Sequence, residues 1–122
     1  MSPGEYRRAL VRAKDDAAAD EIRADVWPGD DRVEIYRISD EVYEKYFQLF
    51  NDLERLCGVG GDDFTTEEIE ADRLENVSKT AKTYPRRDTH GKLDVTLDEL
   101  LDRLWGMCER TRTKGGGVFL IL

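Results

Sequence analysis

The chain closes on an apolar run, Val118-Phe119-Leu120-Ile121-Leu122, reached through three consecutive glycines, Gly115-Gly116-Gly117. A run without polar alternation is expected of a strand covered on both faces, central or parallel in its sheet, so the fold must place layers on either side of it. The segment before the glycines supplies one of those layers. Leu97, Leu100, Leu101, Leu104, Trp105 and Cys108 recur at three- and four-residue spacing and share one face, while Asp98, Asp102, Arg103, Glu109 and Arg110 fall opposite. Thr96 with Glu99 has the form of a capping box at the start of this helix, and the glycines, free to take left-handed angles, form its stop. The spacing predicts a helix over 97–112 and a strand over 118–122, joined in the right-handed sense that parallel crossovers prefer.

Upstream, Pro3 to Asp25 is rich in Ala and charge, with Tyr6, Leu10, Ala13, Ala17 and Ala24 along a narrow stripe, and is read as a helix that lies closely on the domain or forms a loosely attached arm. Trp27-Pro28-Gly29-Asp30-Asp31 is turn chemistry, and Val33 to Ile38, β-branched and aromatic, is a predicted strand. Ser39 is a good N-cap for a helix over 40–57 that carries Tyr43, Tyr46, Phe47, Phe50, Leu53 and Cys57. Aromatic rings at helical spacing are read as core, since large rings bury the most area per residue. Thr65 with Glu68 has the form of a second capping box, for a helix over 66–82 bearing Ile69, Leu74, Val77 and Ala81, and Leu93-Asp94-Val95 adds a short strand. The expected fold is therefore α/β or α+β, a single domain of about four helices around a small sheet of 33–38, 118–122 and 93–95. Its expected core is Ile35, Tyr46, Phe47, Phe50, Leu53, Ile69, Val77, Leu100, Leu101, Leu104, Val118, Leu120 and Ile121.

Charge narrows the function. Across 122 residues the formal net charge is −8, which disfavours binding to polyphosphate. Met1 to Leu10 has no apolar run of the kind that leads a secretory signal, and no stretch approaches the roughly 20 apolar residues of a membrane span, so a cytoplasmic protein is expected. Cys57 and Cys108 fall on apolar helix faces and are read as reduced core residues. Gly58-Val59-Gly60-Gly61-Asp62-Asp63 is glycine-rich, yet it follows a helix, lacks a following Lys-Ser/Thr and ends in two acids, so it is read as a helix stop and not as a phosphate cradle or calcium loop.

Charge is also segregated along the chain. Residues 33–78 hold thirteen acids against four bases, whereas residues 79–92 hold five bases against Asp88. Within the basic stretch, Arg86, Arg87, His90 and Lys92 are candidates for gripping a small anion as forks and point charges, or less favourably a nucleic acid. His90 with Asp88 supplies the orienting part of an acid–base pair, but no nucleophile is indicated beside it, and the motifs of zinc hydrolases and serine hydrolases are missing from the sequence.

The strand and Ser-led helix from Ile35 to Leu56, Arg73-Leu74 leading to Tyr84-Pro85, and the closing helix, glycine turn and Val118-Phe119-Leu120-Ile121-Leu122 together resemble the C-terminal half of the YfbM-like family of small α/β bacterial proteins. Barstar-type inhibitors are similar at the closing helix, glycine turn and strand alone. The resemblance covers residues 33–122, carries no catalytic residues, and implies a small binding or immunity-like protein. The leading expectation is a non-enzymatic module, without cofactor or metal, that binds a basic protein through Asp62, Asp63, Glu68, Asp72 and Glu75. The alternative is a ligand binder or enzyme using the basic loop over 84–92.

Overall fold

A computed structural model describes residues 8–57 and 66–122. In chain order the elements are β1 (Ala9–Ala13), α1 (Asp16–Arg23), β2 (Val33–Arg37), α2 (Asp40–Lys45), α3 (Phe47–Cys57), β3 (Thr66–Glu68), α4 (Leu74–Thr83), α5 (Val95–Lys114) and β4 (Gly117–Ile121). The four strands form one sheet in the order β2-β1-β4-β3, and every neighbouring pair is antiparallel. The fold is a small α+β fold, as the sequence leads one to expect.

The closing run is an inner strand, with β1 on one side and β3 on the other. Both faces are covered, which is why it carries no polar alternation. Leu10 of β1 with Val118 and Leu120 of β4 packs among Phe50, Leu53, Val77, Leu101 and Leu104 of α3, α4 and α5. Ala9, Val11 and Ala13 with Phe119 and Ile121 face the other way, onto Ala18, Ala19 and Ile22 of α1. Because its partners run antiparallel to it, β4 needs no parallel crossover, contrary to the expectation of a right-handed one. The turn from α5 into β4 depends on Gly116, at φ 94°, whose Cβ, if present, would lie 2.0 Å from the Ala13 carbonyl oxygen. Glycine is required there by both angle and space.

Other expectations are corrected as well. Residues 9–13, expected within a helix over 3–25, form the other inner strand, and only Asp16–Arg23 is helical; residues 1–7 lie outside the described part. Asp15 caps α1, accepting from the Ala18 amide at 2.7 Å. Residues 66–68, expected to open a helix, instead pair with Ile121, Leu120 and Phe119, and α4 begins at Leu74 after a tight turn over Ala71–Arg73. The capping acceptor of α5 is Asp94, at 3.2 Å from the Leu97 amide, so Thr96 and Glu99 lie within the helix. The expected strand over 93–95 reduces to a single bridge between Arg87 and Leu93.

The helix expected over 40–57 is interrupted at Tyr46, where φ −110° and ψ 31° close α2. Tyr46 Oη donates to Asp94 Oδ2 at 2.5 Å, which ties this break to the N-cap of α5. Phe47, expected in the core, is 50% exposed just past the break, and Ile35 and Tyr46 are only partly buried; the other expected core residues are buried.

Candidate functional site

The acids of the leading expectation do not form one free cluster. Asp62 and Asp63 lie outside the described residues. Glu68 ends β3, the edge strand, and is gripped bidentately by Arg23 of α1, with Nε to Oε1 at 2.7 Å. Asp72 is exposed in the turn after β3, and Glu75 is exposed in the first turn of α4, 3.4 Å from Lys79 one helical turn on. Glu70, which the sequence reading passed over, is exposed between them. The surviving surface is therefore a short acidic ridge, Glu70, Asp72 and Glu75, beside the outer edge of the sheet. Its start is fixed from below, where Ile69 is buried and donates its amide to the Val118 carbonyl at 2.9 Å. Arg73, within the ridge, donates back to the Leu56 carbonyl at 3.1 Å.

The basic residues are also divided. Arg86 is mostly buried and acts as a staple, donating to Asp98 Oδ1 at 2.8 Å, to Asp102 Oδ1 at 2.6 Å and to the Ala81 carbonyl. Two carboxylates already neutralise it, which removes it as a first grip on an incoming anion. Arg87, His90 and Lys92 are exposed on a hairpin. Asp88 Oδ1 accepts from the backbone amides of His90 at 2.8 Å and Lys92 at 2.9 Å, so this carboxylate organises the turn. Cys57 and Cys108 are free and buried. Burial pushes each thiol up to about 12, which keeps both protonated near neutral pH and poor nucleophiles. Among the described residues, no three His, Cys, Asp or Glu side chains are grouped so as to hold a metal ion, and no helix is long and apolar enough to cross a membrane.

One polar constellation escapes the sequence reading altogether. Arg12, 4% exposed on the inner strand β1, donates to Glu34 Oε2 of β2 at 3.1 Å, to Thr111 Oγ1 of α5 at 3.0 Å and to the Gly115 carbonyl at 3.1 Å. Arg110 grips the same Glu34 through two bonds at 2.7 and 3.2 Å. Burial pushes the Glu34 carboxyl up, but Arg110 and Arg12 outweigh it and hold it below its ordinary range. The network joins two strands to the end of α5. Its groups are all mutually satisfied, so it is a fastening and not a site poised to react. Comparison of the chain with known protein families, curated proteins and solved structures finds no match.

Proposed function

We propose that this chain is a non-enzymatic, cytoplasmic protein-binding module whose acidic ridge docks on a basic partner protein, in the manner of an inhibitor or immunity-type antagonist. The observation that carries the reading is the exposure of Glu70, Asp72 and Glu75 on a turn anchored by Ile69 and Arg73, next to the edge strand β3. Carboxylates held on an ordered turn favour rapid encounter with a complementary patch, and an edge strand offers backbone groups once contact is made.

Affinity capture from the native host at low salt tests it. The bait is compared with a Glu70→Lys, Asp72→Lys, Glu75→Lys form; Glu68 is left intact because it holds Arg23. The expected result is a basic protein retained by the first bait and lost from the second, with equal melting temperatures for the two. Retention of the same proteins by both baits, or of no basic protein by either, overturns the reading.

A further inference from the structure

The hairpin from Arg86 to Asp94 is far better fixed than an exposed Pro/Gly loop requires. Its two arms are joined by Asp94 N to Arg86 O at 2.8 Å and Asp88 N to Lys92 O at 2.9 Å, and its tip by Gly91 N to Asp88 O at 3.0 Å. Arg87 Nη1 closes onto the Gly91 carbonyl at 2.9 Å, and Arg86 bolts the base to α4 and α5. A concavity flanks each side of it. One, of about 440 Å³, is lined by Lys82, Tyr84, Pro85 and Arg87 among others, and the second, of about 350 Å³, by Lys45, Lys92, Asp94 and Val95 among others. Leu93 lines both, so they are two halves of one surface divided by the hairpin arm.

None of the ion pairs among the described residues uses Lys45, Lys82, Arg87 or Lys92. Lys82 lies over the Trp105 ring and Lys45 over the Tyr46 ring, and Lys45 acts on the nearby Asp94 without a close ion pair. Between these cations lie three carboxylates, Asp88, Asp94 and Asp98, and two apolar side chains: Val95, 71% exposed, and Leu93, partly exposed. In a chain of net charge −8, four cations outside the ion pairs, gathered around Leu93 and Val95, give this face a chemistry that an anionic segment with apolar side chains can meet.

We propose that this face is a second docking surface, for an acidic, extended segment of a partner protein. Its carboxylates meet Lys82 and Arg87 on one side of the hairpin and Lys45 and Lys92 on the other, and an apolar side chain between them covers Leu93 and Val95. Charge complementarity selects the occupant. Asp88, Asp94 and Asp98 interleave with the cations, which opposes a nucleic acid bearing a charge at every step, whereas a peptide spaces its charges and brings apolar side chains for Leu93 and Val95. The fixed hairpin lowers the ordering cost of binding. This inference stands independently of the acidic ridge.

The test is fluorescence anisotropy with three labelled probes of equal length: a peptide alternating Glu with Leu or Ser, its Gln counterpart, and single-stranded DNA. Binding of the Glu peptide that weakens with salt, and that falls by about tenfold or more in an Arg87→Glu, Lys92→Glu protein of unchanged melting temperature, is the expected result. Amide shifts on titration should centre on residues 82–95. No binding of the Glu peptide at low salt, equal binding by the charge-reversed protein, equal binding of the Gln peptide, or tighter binding of DNA overturns it.

Discussion

Arg12 and Glu34 show how far a single residue's role departs from its appearance in the sequence. Arg12 lies off the apolar stripe of the helix expected over 3–25, yet it is buried on an inner strand with its donors spent on Glu34, Thr111 and the Gly115 carbonyl. The hydrogen-bonding capacity of a guanidinium makes this tolerable, because burial is costly only for an unpaired charge. A pH dependence follows. The Glu34 carboxyl is held below its ordinary range, so its contribution to stability is complete above the unfolded value, about 4.3, and is lost as pH falls through the lower folded value. Glu34→Gln is expected to lose about 1 to 2 kcal/mol at neutral pH, after allowance for its partial exposure. Denaturant melts across pH check it: the gap between the two proteins should narrow below about pH 4, and a constant gap would show that the carboxylate charge is not what Arg12 and Arg110 hold.

At the scale of elements, what was legible was what carries periodicity. The wide apolar face of α5 and the unbroken run of β4 announced themselves, because a buried helix stripe and a doubly covered strand leave distinct patterns. β1 did not. Five residues rich in Ala, covered on both faces, offer no alternation, and their helix propensity is overridden by pairing with β2 and β4. The signal that could have found the boundary is Asp15, a capping residue placed after the strand and before α1. β3 was concealed by the Thr65 and Glu68 spacing, a pattern that a strand edge also carries by chance; Ile69 and the pairing to β4 decide the matter. The candidate sites were legible only as charge: sequence grouped the acids and bases, but not that Arg23 occupies Glu68 or that Asp98 and Asp102 occupy Arg86. Since β4 holds β1 and β3 together, deleting Val118 to Leu122 removes five buried apolar residues, each contributing about 1.5 to 3 kcal/mol, against a total stability of about 5 to 15 kcal/mol. Circular dichroism should find that protein unfolded at room temperature, and a cooperative melt like that of the full chain would remove β4 from the core.

For the molecule as a whole, α4 sets acid and base apart. The ridge lies just before and within its first turn and the hairpin follows its last, separated by a ten-residue helix of roughly 15 Å. That distance exceeds the screening length of about 8 Å at physiological ionic strength, so the acids before α4 and the cations after it act on their surroundings separately instead of cancelling one another. Acids at the start and lysines at the end of α4 also suit its dipole, so one arrangement serves helix and surface together. Hydrogen exchange of the chain, alone and with the basic partner that it captures, reads the ridge most directly. Added protection over Thr66 to Glu75, with the Arg86 to Asp94 hairpin unchanged, is the predicted result. Protection confined to α1, β2 or the hairpin, with none between Thr66 and Glu75, would contradict the assignment of the acidic ridge as the binding surface.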